Sequence, residues 1–333
     1  MMIKFIFIWY FTLSFISLRI NSQDKLFSVR KIDSIDPLLN FDSDLSFLDS
    51  VLKGKRIVLL GEETHFDGSS LLARQRLINY LHTKLGFNTL CLELNFFEVD
   101  KAYQDILLKR DSVIGVMAYL TEGFPDIITP DNEALAKTIE ASKGDLKLFG
   151  LDIIPGSIYY NSFYSEFKKF VNAFTDYETS ILKKHFEAFG LKGYRSSGRI
   201  SKVLNDSKKV GVAISNGEKL ISELENFYPL INKNNLQESC SFFVQVIKCN
   251  IMYYKYIMES KKNEGNSKKP YNIYKPNVIR DRQMAENLLW ILSKLDSSSK
   301  LIVALSSFHI GRNFKMLNPP PIEIDSTYKT FGD

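Results

Sequence analysis

Cysteine is scarce in this sequence: Cys91, Cys240 and Cys249 are the only three in 333 residues. They make no Cys-x-x-Cys pair and no zinc-like spacing, so neither a disulfide framework nor a structural zinc site organises the chain. Cys91 falls in the apolar run TLCLEL and reads as core. Cys240 and Cys249 lie nine apart in a helical stretch, where one helix cannot bridge them. A charge of one sign is missing too. Forty-three Lys and Arg stand against 38 Asp and Glu, a net of +5, and the two signs are interspersed, so no nucleic-acid-binding face is expected. The lysines that do cluster, Lys261, Lys262, Lys268 and Lys269, sit in ESKKNEGNSKKP, which reads as a solvated loop. There is no G-x-S-x-G nucleophile elbow, no H-E-x-x-H zinc helix and no internal repeat. Histidine is limited to four residues, His65, His82, His185 and His309.

One long hydrophobic run is present, at the N-terminus. After Lys4 the chain is apolar from Phe5 to Leu18, then turns polar at Asn21, Ser22 and Gln23. That is shorter than the roughly 20 residues needed to cross a bilayer. It has the shape of a secretory signal peptide, residues 1–22, cleaved after Ser22. No cysteine follows it, so a lipid anchor is not indicated. The mature protein is expected to be exported, periplasmic or secreted, and to meet a membrane only during export.

From Lys55 onward, short apolar runs alternate with helical periods. RIVLLG reads as a strand, SSLLARQRLINYLHTKLG as a helix with Leu71, Ile78, Leu81 and Leu85 in one stripe, and FNTLCLEL as a second strand. This strand–helix–strand unit calls for parallel strands. Helices follow near Val99–Leu108, Val113–Leu120 and Asn132–Ala141. LKLFGLDI is a third strand and Lys300–Leu305 a fourth. Between the third and fourth lies a run of amphipathic helical segments. The expected fold is α/β: one domain over residues 23–333, with a mostly parallel sheet flanked by helices. A large all-helical insertion, about 157–265, lies over the carboxyl ends of the strands.

Each proposed strand ends in polar residues: Glu62 and His65, then Glu93, then Asp152, then Ser306, Ser307 and His309. In open parallel sheets ligands bind beyond those ends, so residues far apart in sequence are expected to meet there. A fifth element joins them. In the helix NVIRDRQMAENLLWILSKL, Arg280 shares a face with Met284, Asn287, Leu288, Ile291 and Leu295. A guanidinium on the apolar stripe needs an anionic partner, and Glu62, Glu93 and Asp152 are the candidates. His82, at a stripe edge, and His185, in the charged KKHFEAF, read as structural.

GEETH after a strand, the Glu of CLELN, GLD, IRDRQMAENLLWIL and FHIGRN occur in the order seen in the erythromycin esterase family, which this chain resembles from about Phe47 to Asn313. That resemblance implies a hydrolase cleaving a carboxylic ester or lactone, macrolides among them. It implies His65 as the base that takes a proton from water, with Glu62, Glu93, Arg280 and His309 as the other catalytic positions. Asp152, Ser306 and Arg312 are expected to contact substrate. No cofactor is expected. A divalent metal on Glu62, His65, Glu93 and His309 is the alternative chemistry, and a non-catalytic ligand-binding member is a third reading. The chain departs from the family pattern in several places. Ser306 and Ser307 replace a frequent His–Asn pair, Phe66 replaces a glycine and Ser69 a glutamate. Family members usually continue past the fourth strand, so a short branch or a truncated chain is expected.

Overall fold

The computed structural model describes residues 30–37, 39, 42–62, 67–121, 129–190, 206–231, 234–264 and 274–311. The expected signal peptide, residues 1–22, lies outside them, as do Lys268 and Lys269. Among the described residues no helix is long and apolar enough to cross a membrane.

Among the described residues four parallel strands form one sheet: β1 (Ile57–Glu62), β2 (Thr89–Asn95), β3 (Lys147–Asp152) and β4 (Leu301–Ser306), in spatial order β1-β4-β2-β3. Among the described strands, the last in sequence fills a central place between the first two. That position explains its composition. LIVALS is buried throughout, with Leu301, Val303 and Leu305 packed into one apolar layer and Ile302 and Ala304 into the other. β1 lies at an edge of the sheet and alternates exposed with half-covered residues; only its tip, Glu62, is buried.

The first layer of helices is α1 (Phe47–Val51), α2 (Gly68–Thr83), α3 (Phe96–Leu107), α4 (Val113–Thr121) and α5 (Pro130–Ser142). Asp67 caps α2 by accepting the Ser69 N–H, and Asn95, the last residue of β2, caps α3 by accepting the N–H groups of Phe97 and Glu98. Ile78 and Leu81 of α2 pack with Leu90 and Leu92 of β2, Val116 and Met117 of α4, and Leu135 and Ile139 of α5.

The segment after β3 is helical, as the sequence implies. It contains α6 (Phe163–Asn172), α7 (Ile181–Phe189), α8 (Ser207–Phe227) and α9 (Asn234–Glu264), and no described residue from 153 to 264 is in a strand. Aromatic rings fuse it into one core. Phe167 stacks on Phe186 at 4.2 Å between centroids, and Phe163, Phe170 and Phe243 surround them. α9 packs along α10 (Tyr274–Lys294), which leads into β4, and α11 (Ser307–Ile310) closes over the tip of β1. A side chain at Gly61 would strike Ser307 and Ile310, so the glycine lets α11 settle there.

The β2–β3 register shifts between Leu92 and Asn95. The irregularity brings the Asn95 carbonyl over Gly150, where a Cβ would collide with it. Gly150→Ala is therefore expected to cost about 1–3 kcal/mol by overpacking, read as a lower denaturation midpoint. An unchanged midpoint would show that the bulge relaxes freely.

Candidate functional site

Arg280 is the hub of the strand tips. Its Nε donates to Asp152 Oδ1 at 2.8 Å and its Nη2 to Asp152 Oδ2 at 2.7 Å, a two-pronged pair. Nη2 also donates to Glu93 Oε1 at 2.7 Å, and Nη1 lies 3.0 Å from His309 Nε2. The group is nearly dry: the side chains of Arg280, Glu93 and Asp152 are 15%, 10% and 6% exposed. The helical face deduced for Arg280 is buried as expected at Met284, Asn287 and Ile291.

Local structure places each partner. Period-two alternation sets Glu93 on the same side of β2 as Cys91, the side that packs on α10. The irregularity that follows Leu92 ends the regular ladder at this residue. Its second oxygen accepts the Ser306 N–H at 2.7 Å. Ser306 also caps α11 by accepting the Phe308 N–H, which sets His309 in the first turns beyond β4. Behind His309, fully buried Asp281 accepts at Oδ1, 2.5 Å from Nδ1.

Three carboxylates, Glu93, Asp152 and Asp281, thus face two basic groups, Arg280 and His309. Burial alone would raise Glu93, but the hydrogen bond from His309, the Arg280 charge and the Ser306 N–H outweigh it and hold Glu93 down to about 2. Burial likewise opposes a charged His309, yet the Asp281 and Glu93 carboxylates win and push it up to about 9. Nε2 has two neighbours that demand opposite things: Glu93 Oε1 at 3.2 Å favours a donor, and Arg280 Nη1 at 3.0 Å favours an acceptor. The excess of carboxylate decides for the imidazolium. Asp281 is shifted upward, first by burial, with His309 pulling the other way.

Glu62 is buried but does not join Arg280. It pairs with Arg74 of α2. A cavity of about 160 Å³ opens beside it, lined by Glu62, Arg74, Gln75, Glu93, Asp131 and Asn132 among others. The structure therefore joins Glu93, Asp152, Arg280, His309 and the Ser306 backbone directly, and brings Glu62 to the same cavity wall as Glu93. His65 and Arg312 lie outside the described residues. Among the described residues no group of three or more His, Cys, Asp or Glu is arranged to hold a metal ion. The guanidinium of Arg280 stands between the carboxylates instead. His82 is structural, its Nδ1 2.8 Å from the Phe87 carbonyl, and His185 contacts Asn216 at 3.1 Å.

Four residues escaped the sequence reading. Arg74 and Gln75 fill the missing turn of the Leu71–Ile78 stripe, three and four residues from its apolar members. The spacing argument that found Arg280 would have found them. Asp281 follows Arg280 directly, but nothing in the sequence pairs it with a histidine 28 residues on. Glu98, 2% exposed, accepts the N–H groups of Gly156 and Ser157 and so ties down the segment leaving β3. Burial pushes it up to about 7 against those two donors.

This sheet and its helices make an erythromycin esterase-like fold. The structure of an erythromycin esterase EreC mutant in its open conformation superposes with a TM-score of 0.61 at 18% identity, covering 83% of this chain and 66% of that one. A Bacillus cereus protein superposes at 0.65 with 16% identity, covering 84% and 64%. A succinoglycan biosynthesis protein superposes at 0.61 with 16% identity, again covering 84% and 64%. In sequence, the chain is 28% identical over 287 residues to the "Putative hydrolase YbfO" of Bacillus subtilis (strain 168), covering 83% of this chain and 61% of that protein. No protein-family model matches. The chain spans 61–66% of the length of these proteins.

Two outcomes test the hub. Arg280→Ala leaves Glu93 and Asp152 buried without their cation and is expected to cost about 3–5 kcal/mol in chemical denaturation. Because the folded state raises His309 from 6.5 to about 9, its stabilisation is complete below about pH 6.5 and fades as pH climbs through about 9. The melting-temperature gap between wild type and His309→Gln is accordingly expected to be wide near neutrality and narrow at alkaline pH. A gap that widens with pH would reverse the assignment.

Proposed function

We propose that the protein is a hydrolase that cleaves a carboxylic ester or lactone with water activated by His65. The observation that carries this reading is the buried Glu93–Arg280–His309 cluster at the carboxyl ends of the strands, beside a cavity that Glu62 and Glu93 both line. In the proposed reaction His65 takes a proton from water and the resulting hydroxide adds to the carbonyl carbon. The C–O bond to the alcohol then breaks. Imidazole is the side chain whose chemistry as a base operates nearest neutrality, which suits the first step. His309 has Nδ1 on Asp281 and Nε2 beside Glu93, so in this scheme its charge, kept up to about pH 9, favours the developing oxyanion from behind the strand tips, and the proton that His65 took from water goes to the departing alkoxide. Arg280 has its Nε and Nη2 engaged by Asp152 and Glu93, so in this scheme it fixes their geometry and charge.

Likeness in fold to an erythromycin esterase and in sequence to a protein named as a hydrolase supports the ester or lactone class, with macrolides among the substrates to try. The N-terminal segment makes this an exported enzyme. Sequencing of the mature protein is expected to begin at Gln23. Every step uses protein groups and water, so dialysis against a chelator is expected to leave activity intact.

The deciding experiment is a panel of esters and lactones, including macrolides, with wild type and His65→Ala side by side. His65→Ala is expected to lose at least about a hundredfold in kcat/KM, the scale of a lost general base. Equal turnover by the two proteins would remove His65 from the reaction.

A further inference from the structure

A second cleft, of about 730 Å³, opens between α3, α6, α9, α10 and the strand β3. That volume falls within the roughly 300–1,000 Å³ of small-molecule sites. Trp290, on its wall, stands ten residues beyond Arg280 on α10, roughly 15 Å along the helix, so the cleft is separate from the strand-tip cluster. Its floor is aromatic. Phe149, Phe242 and Trp290 line it and are only partly buried, and Phe97 and Phe243 flank Phe242 from the core. The Trp290 N–H is already spent on Ser241 Oγ at 3.0 Å, so what this residue offers the cleft is its ring. Lys294, one turn further along α10, sets its ammonium over that ring, 5.3 Å from the centre.

The lining carries charges of both signs, unevenly matched. Glu166 takes both Lys101 at 3.2 Å and Lys169 at 3.1 Å. Lys294 is exposed and, among the described residues, has only the Trp290 ring for company. Asp100 is half-buried and, among the described residues, pairs with no cation. Its hydrogen bond comes from the neutral Gln104 amide, Nε2 to Oδ2 at 2.8 Å. Burial pushes its carboxyl up to about 6, with Lys101 pulling it down and Glu166 adding to the rise. Such a carboxylate repels an anion. A neutral aromatic guest would strip its water and give nothing back. A flat organic cation meets both demands of the lining: its charge pairs with Asp100, and its ring lies against Phe242 and Trp290, indole being the ring that draws cations most strongly. Lys294 already uses the Trp290 face in that way, from a flexible and exposed stem that a guest can displace.

We propose that this cleft binds an organic cation carrying a flat ring system, its charge at Asp100 and its ring on Phe242 and on the face of Trp290 that Lys294 covers. The site is independent of the esterase reading, since it shares no residue with the strand-tip cluster and no step of the proposed hydrolysis uses it.

Calorimetric titration of the full chain with N-methylquinolinium tests it, at about pH 8, where Asp100 is ionised. Quinoline, neutral at that pH, and naphthalenesulfonate, an anion of similar shape, are the controls. The cation is expected to bind saturably and each control at least about tenfold more weakly, the scale of one charge-assisted contact. Asp100→Asn keeps the Gln104 hydrogen bond and is expected to weaken cation binding by about tenfold while the melting temperature holds. Trp290→Leu, with Phe242→Leu as a second variant should the first fail to fold, is expected to weaken it by about fivefold. Lys294→Ala is expected to tighten it by about threefold, because the competing ammonium is gone from the ring. Absence of cation binding overturns the proposal, and so does equal or tighter binding of quinoline or naphthalenesulfonate. Unchanged affinity in Asp100→Asn overturns it too, as does a marked fall in that variant's melting temperature, which would make Asp100 a structural brace. Unchanged or weaker binding by Lys294→Ala would show that the guest does not take the lysine's place, and overturns it as well.

Discussion

A single guanidinium holds the strand tips in register. Arg280, carried on α10, grips Asp152 at the end of β3 and Glu93 at the end of β2, and its Nη1 lies against His309 just beyond β4. These contacts join residues up to 187 positions apart. A charge in a nearly dry setting is costly unless it is neutralised and its hydrogen bonds are made, and here the carboxylates at the ends of β2 and β3 do both. Order therefore propagates outward. Glu93, fixed by Arg280, accepts the Ser306 N–H, and Ser306 caps the short helix that delivers His309 to Asp281.

That arrangement divides the labour at the tips. On the α10 side, charge is dense and almost fully paired, which keeps His309 cationic and Glu93 anionic over the physiological range. On the α2 side, Glu62 and Arg74 form a separate pair beside a small cavity. The first half has its charges matched across segments, and the second keeps open volume beside a buried ion pair. Glu93 lines the wall between them, so the cavity and the charged cluster share one residue.

Much of this was legible in the chain. Apolar runs gave the four strands within a residue or two, because a strand buried on both faces has to be apolar throughout, as LIVALS is. Helical spacing gave the buried face of α10, and hence Arg280's need for anions. The same reasoning offered Glu62, Glu93 and Asp152 equally as partners. Only the packing chose Glu93 and Asp152 and sent Glu62 to Arg74. The strand order was not legible either. β4 lies between β1 and β2, which are joined in sequence by α2, and no local pattern records which strand fills that gap.

What the sequence determined by itself is therefore the inventory: parallel strands ending in acids and a histidine, a helical insertion, and a cation on an apolar helical face. Those features depend on periodicity and on the cost of burying charge, both properties of short segments. What tertiary structure alone decided is the pairing. Which carboxylate meets which cation depends on distances between segments tens to hundreds of residues apart. Those distances are set when the two apolar layers close on the sheet.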